Sequence, residues 1–239
     1  MHREERQVLL SFKEGLIDDF GILSSWTNHH NNTDCCKWKG IHCNHQTGHV
    51  YLLDLHGSYH NLKGVLNLTL LIHLQYIQHL NLSHNYFVLS YIPECTGCFT
   101  NLRYLDLSDS YLMGRIPSTL GNLLQLRYLH LGNNFLWGEI PIKIGSLKHL
   151  HYLHLGGTFL SRKIPYQLGN LRNLQYLSLG SNPSLHASTT TNYTSNSLSG
   201  AIPFGIGNLP FLHTLRLGGN FDIKAKDAVV VYSPFLNNS

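Results

Sequence analysis

The chain has 239 residues, 17 Lys+Arg against 13 Asp+Glu, and a formal charge of +4. Charged residues make up only 13% of it, about half the share of a typical soluble domain. No Lys/Arg run of five or more occurs, so no dedicated nucleic-acid or membrane-surface patch is expected. No apolar stretch of about 20 residues is present, which excludes a transmembrane helix within the sequence.

The amino-terminal stretch MHREERQVLL is charged and has no long apolar segment, so no signal peptide is expected in the chain as given. Val8, Leu9, Phe12 and Leu16 recur at helical spacing and predict a helix over roughly residues 4–17, with Gly15 and Gly21 bracketing its end. A polar, turn-rich stretch TNHHNNTD follows, then CCKWKGIHC. Cys35, Cys36, Cys43, Cys95 and Cys98 are odd in number, so at least one thiol stays free within a monomer or pairs outside it.

From Val50 the sequence repeats. The phrase LRYLDLSDSYLMGRIPSTLGNL from Leu102 returns as LRYLHLGNNFLWGEIPIKIGSL from Leu126 and LHYLHLGGTFLSRKIPYQLGNL from Leu150, a period of 24. A fixed period in this range marks a solenoid, in which each unit contacts only its neighbours and the array offers an extended surface to a partner. Units begin near Val50, Ile77, Leu102, Leu126, Leu150, Leu174 and Leu212. The step from Leu174 to Leu212 is 38, a surplus of 14 over the period, and it falls at about residues 183–196, a Ser/Thr-rich piece read as a loop.

Within a unit, the LxxLxL start alternates apolar and polar residues, which predicts a short strand with leucines inward, stacked into a parallel sheet. Position 9, usually Asn (Asn85, Asn134, Asn182, Asn220), falls where the chain leaves the strand, and its amide can satisfy backbone groups in the turn. The Ile-Pro pairs at 116–117, 140–141, 164–165 and 202–203 supply an apolar anchor and an extended segment. The LGNL phrases at 120–123 and 168–171 predict a short helical turn.

These residues name a family. The pattern LxxLxLxxNxLxGxIPxxLGNLxx resembles the plant extracellular leucine-rich repeat. ERQVLLSFKEGL, LSSW (Leu23 to Trp26) and DCCKWKGIHC (Asp34 to Cys43) look like the amino-terminal cap of plant receptor-like proteins and receptor kinases. The resemblance implies a right-handed α/β solenoid with a parallel β-sheet on its concave face and a helical cap over residues 3–45. It places repeats over 50–227 and a divergent tail over 228–239. It also implies a Cys36–Cys43 disulfide with Cys35 left alone, because Met1-His2-Arg3 stands where such caps usually carry a further cysteine.

By the same resemblance the chain is a non-catalytic recognition module of a plant receptor-like protein, at the cell surface, perceiving a ligand for defence or developmental signalling. Its expected partners are a peptide or protein ligand and a co-receptor kinase. Two other readings stand beside it: a secreted inhibitor like those of fungal polygalacturonase, and a truncated receptor product without function. The last draws weight from the final unit, whose Leu212, Leu215 and Leu217 are expected to lack a covering coil, so that the chain would aggregate or borrow a partner.

With leucines inward, positions 2, 3, 5, 7 and 8 of each unit face a partner. They bring forward Arg103, Tyr104, Asp106, Arg127, Tyr128, His130, His151, Tyr152, His154, Tyr176 and Arg216 as candidate ligand-binding residues. Tyr and Arg combine contact area with polar handles and are favoured at interfaces. Histidines at concave positions, among them His79, His84, His130, His151, His154 and His213, suggest pH-dependent binding.

Cys95-Thr-Gly-Cys98 spells CxxC, but no second such pair offers further zinc ligands, so two structural cysteines are expected. Asp19-Phe20-Gly21 is a chance DFG, without the other kinase motifs. No GxSxG, HExxH or P-loop occurs, so no catalytic residues, metal or cofactor are expected. N-x-[ST] sequons at Asn31, Asn67 and Asn192 are candidate glycosylation sites; Asn81 and Asn237 also fit, Asn81 on the concave face.

Overall fold

The computed structural model describes residues 3–28, 34–58, 61–180, 197–220, 222–223 and 229–231. The insertion at about 183–196, Asn182 and the sequons at Asn31, Asn192 and Asn237 lie outside the described residues.

The cap begins with helix α1 (Arg3–Glu14), which buries Leu9 and Phe12. It ends earlier than the periodicity predicts. Gly15 N–H donates to Phe12 O at 3.3 Å, and the chain continues as strand β1 (Leu16–Asp18), paired antiparallel with β4 (Leu62–Gly64). Leu16 is therefore a sheet residue, half-buried against the core. Ile17 pairs with Lys63, 46 residues further on, and such a partner is not visible to local periodicity.

Several contacts fix the cap. The Asp18 carboxylate accepts from Ile22 N–H and Leu23 N–H at 2.8 and 2.7 Å. Trp26 and Trp38 stack at 5.6 Å. Cys36 and Cys43 form a disulfide, and β2 (Ile41–Cys43) pairs antiparallel with β3 (Val50–Asp54). Glu5, buried on α1, accepts from Val50 N–H at 3.1 Å and contacts His49 Nδ1 at 3.1 Å, tying the helix to the first repeat strand.

The repeats build one sheet from β3, β5 (His79–Asn81), β6 (Tyr104–Asp106), β8 (Tyr128–His130), β10 (Tyr152–His154), β12 (Tyr176–Ser178) and β14 (Thr214–Arg216), all parallel. They pair in strict register, with Leu53, Leu80, Leu105, Leu129, Leu153, Leu177 and Leu215 side by side. A second parallel sheet runs along the flank: β7 (Met113–Gly114), β9 (Phe135–Gly138), β11 (Phe159–Lys163), β13 (Ser197–Gly200) and β15 (Asp222–Ile223). After each Ile-Pro comes a short helical turn, such as Ser118–Asn122, Ile142–Ser146 and Tyr166–Asn170. The leucines and isoleucines of each coil merge into one buried core. Each fully buried aliphatic side chain contributes about 1.5–3 kcal/mol.

The two edges of the main sheet are closed in the same way. At one end lies antiparallel β2; at the other, strand β16 (Val229–Val231) runs antiparallel to β14, Thr214 opposite Val231. This corrects the expectation of a bare last coil. Leu215 and Leu217 are buried and Leu212 is half-buried, and β16 pairs with the otherwise open edge of β14.

Position 9 holds the coils together. Asn134 is 3% exposed. Its amide nitrogen donates to Leu107 O, Leu131 O and Gly132 O at 2.8–3.2 Å, and its oxygen accepts from Ser110 N–H and Leu112 N–H at 3.1 and 2.9 Å. Asn85 repeats this with Leu55, Leu82, Ser83 and Leu62. Where position 9 is Ser110 or Thr158, the hydroxyl donates to Leu82 O or Leu155 O instead. Asn134→Ala leaves five backbone groups without their partner and is expected to cost about 2–4 kcal/mol. Asn134→Asp keeps the acceptor but loses the donor and is expected not to restore it. Denaturant unfolding of both variants measures this.

Candidate binding face

Five successive strands of the main sheet, β5, β6, β8, β10 and β12, each present one ring at the same position of the concave face. His79 and Tyr104 stack at 4.0 Å between centroids, Tyr104 and Tyr128 at 4.2 Å, and Tyr128, Tyr152 and Tyr176 at successive steps of 4.3 Å. These separations approach the spacing of neighbouring strands, about 4.8 Å, because register forces equivalent side chains to lie directly above one another. The Arg216 guanidinium closes the row, 5.6 Å from the Tyr176 ring. A second tier runs alongside, with His130 and His154 stacked at 4.3 Å and both edge-on to the tyrosines.

Asp106 lies under this surface. It is 6% exposed, less than a ligand contact at position 5 would lead one to expect. Its Oδ1 accepts from Ser108 N–H and Oγ–H at 3.0 and 2.7 Å; its Oδ2 accepts from Tyr104 Oη at 3.3 Å and Tyr128 Oη at 3.5 Å and lies 3.4 Å from His130 Nδ1. Burial alone would push its pKa up, but the hydrogen bond and charge of His130 and the Ser108 groups outweigh this and hold it below the ordinary value. Burial and the Asp106 charge push the Tyr104 hydroxyl up to about 12, and burial also raises Tyr128 and Tyr152. Tyr104, Tyr128 and Tyr152 are therefore neutral hydrogen-bonding groups at any physiological pH.

Arg103, Arg127 and Arg216 are exposed, while Tyr104, Tyr128, Tyr152, Tyr176, His130, His151 and His154 are half-buried. The register brings all of them onto one face. Position 5 changes along it, from Asp54, Asn81 and Asp106 to His130, His154, Ser178 and Arg216, so the acidic groups gather toward the cap and the basic ones toward the other end.

Position 7 faces outward only in part: Ser83, Ser108, Gly132 and Gly156 are buried in the turn, whereas His56 and Gly218, in the first and last units, are exposed. A Cβ at Gly156 would lie 2.4 Å from Gly180 O, so the coils approach here backbone to backbone. Position 8 adopts left-handed φ at His84 (57°), Asp109 (52°), Asn133 (55°) and Gly157 (66°). These are the residue types that tolerate that region best, a regularity legible in the sequence. A flank row of aromatics at position 10 was also missed: Tyr86, Tyr111, Phe135 and Phe159 lie 4.7, 5.8 and 5.9 Å apart in succession.

Among the remaining candidates, Asn67 is exposed at the start of the turn Leu68–Leu71, where its oxygen accepts from Thr69 N–H at 3.1 Å. Asn81 instead uses its oxygen to accept from Ser83 N–H and Oγ–H. Cys35 is buried with a free thiol, pushed up to about 11 by burial and by Glu5 and Asp34; Cys95 and Cys98 are free in the turn Glu94–Cys98. Among the described residues no three His, Cys, Asp or Glu side chains gather as metal ligands.

The leucine-rich repeat N-terminal domain matches residues 2–44, a leucine-rich repeat region matches 88–198, and a single leucine-rich repeat matches 76–99. The chain belongs to the leucine-rich repeat proteins, and its relatives are plant receptor-like proteins. It is similar to receptor-like protein EIX1 of Solanum lycopersicum, 42% identical over 122 residues that cover 46% of this chain and 12% of that protein. Its fold resembles the leucine-rich repeat ectodomain of the Arabidopsis receptor kinase HAESA, solved with an IDA peptide hormone (TM-score 0.75, 33% identity, 91% of this chain and 33% of that one). It also resembles PEPR1 in complex with AtPEP1 (TM-score 0.77, 30% identity, 93% of this chain and 28% of that one). The chain thus spans a minor part of the length of each.

Two concave histidines depart from the pH-sensing expectation. Burial, and then the neighbouring His130 and Arg216, lower His154 to about 4; burial lowers His79 as well. His154 therefore stays neutral at a pH of about 5.5, where an unperturbed histidine is mostly charged. A histidine whose folded pKa lies below its unfolded one costs stability as pH falls, since the unfolded chain takes up the proton first. Thermal stability is therefore expected to fall between pH 6.5 and pH 4, and His154→Gln is expected to recover a few degrees of that fall. Scanning calorimetry across this range checks it; equal slopes for both proteins would contradict the assignment.

Proposed function

We propose that the chain is the cap-proximal recognition part of a plant receptor-like protein, binding an extended peptide along its concave face for defence or developmental signalling, with a co-receptor kinase as second partner. The observation that carries this reading is the unbroken row from His79 through Tyr104, Tyr128, Tyr152 and Tyr176 to Arg216. Such a row is an extended, rigid, largely neutral platform with polar edges. Large aromatic area combined with Arg is the composition that dominates binding energy at interfaces. Seven strands span roughly 30 Å, the length of an extended peptide of about nine residues. The likeness to the HAESA ectodomain, solved with an IDA peptide hormone, supports a peptide ligand.

The acid-to-base change at position 5 gives the platform a direction: a peptide with its basic residues over the cap-side strands and its acidic residues over Arg216 is favoured. The chain acts by binding. By family resemblance its place is the cell exterior, where Asn67, exposed beside Thr69, is a glycosylation site that leaves the concave face clear.

Selection from an immobilised random nonapeptide library on the full chain tests the proposal. Enriched peptides are expected to lose roughly 10–100-fold in affinity against Tyr128→Ser or Tyr152→Ser, the range of a centrally placed aromatic contact. Peptides that bind these variants and the parent equally would place recognition elsewhere.

A further inference from the structure

The flank sheet carries a second site, separate from the concave face. A cleft of about 570 Å³ opens between coils, lined by Arg115, Trp137, Glu139, Phe159 and Arg162. Trp137 is 47% exposed, whereas Trp26 and Trp38 are buried in the cap. The Arg115 guanidinium lies 4.9 Å from the Trp137 ring centroid. Glu139 and Arg162 also line a neighbouring, mostly apolar trough of about 730 Å³, where Lys163, Gln167 and the 73% exposed Tyr166 join them. The two hollows form one furrow crossed by the Arg162–Glu139 ion pair, Nε to Oε1 2.9 Å.

Arg162 breaks the repeat at a place where the backbone objects. Two residues before the Ile-Pro pairs at 116–117, 140–141 and 202–203 stand Gly114, Gly138 and Gly200, with φ of 91°, 92° and 86°. Before Ile164-Pro165 stands Arg162, at φ 69°. A left-handed conformation is costly for a residue with a Cβ. The exposed ion pair returns little of that cost. Strain of this kind gathers at functional sites.

We infer that this furrow binds an acidic oligosaccharide, a short chain of uronic acid units. An exposed indole offers a flat apolar face to the C–H face of a sugar ring, and Tyr166 offers another further along. Arg115, Arg162 and Lys163 supply three cations against the one carboxylate of Glu139, and guanidinium groups match carboxylates in bidentate geometry. Gln167 adds an amide for hydroxyl groups. Arg162 exchanges Glu139 for a ligand carboxylate and so stands at the junction of the two hollows.

Because only one of the three tryptophans is exposed, intrinsic fluorescence reports on this site. The experiment titrates the full chain with a linear hexamer of galacturonic acid, its fully methyl-esterified form and hexaglutamate, following tryptophan emission and calorimetric binding. The free-acid hexamer is expected to quench emission and bind at least tenfold more tightly than either control. Arg162→Gly, which places at this position the residue its sister coils carry, is expected to keep or raise the melting temperature while weakening binding at least tenfold. Trp137→Ala is expected to abolish both signal and heat, and Tyr128→Ser to change neither. No binding of the free-acid hexamer, equal binding of hexaglutamate, or unchanged affinity of Arg162→Gly would overturn the assignment.

Discussion

The structure depends on one buried polar contact, repeated with variations: the position-9 side chain that ties three stretches of backbone at the point where each coil leaves the sheet. A strand that turns abruptly into the core strands its own peptide groups away from water, and each unpaired group is expensive. Asn134 answers five of them at once, reaching its own coil and the preceding one. An amide can do this because it donates and accepts from one planar group. Ser110 and Thr158 have only a hydroxyl, and there the turn is held with fewer side-chain bonds.

Fixing the turn fixes the pitch, and the pitch makes the face. With Leu105, Leu129, Leu153 and Leu177 locked side by side beneath the sheet, the tyrosines above them have no freedom to slip. They stack at nearly constant separation and within 10° of parallel. The packing below costs the face nothing in flexibility later, since the rings are ordered before any partner arrives. Asp106 extends the same economy to charge: one buried carboxylate, satisfied from Ser108, anchors two tyrosine hydroxyls and a histidine.

The ends and the flank obey different demands. A parallel sheet leaves unpaired groups at its outer strands, and both edges are covered by antiparallel strands, β2 beside the disulfide and β16 from the tail. Along the flank, outside the position-10 aromatic row, side chains vary from coil to coil. Trp137, Arg162 and Tyr166 occur there where the repeat would accept smaller or less demanding residues.

The repeat period, the seven strands and the inward leucines were legible from spacing alone, because a side chain in a stacked coil meets its own equivalent and the sequence must therefore be self-similar. The candidate face was legible for the same reason: Tyr104, Tyr128, Tyr152 and Tyr176 share one position of the repeat. Tertiary structure decided what self-similarity does not encode. It ended α1 at Glu14 so that Leu16–Asp18 could pair with a distant strand. It buried Asp106, Ser83 and Ser108, which a simple inward–outward alternation places on the surface. It folded the tail onto β14 and joined residues of neighbouring coils into the flank furrow. Each of these depends on contacts between segments whose sequences differ, and no single period relates them.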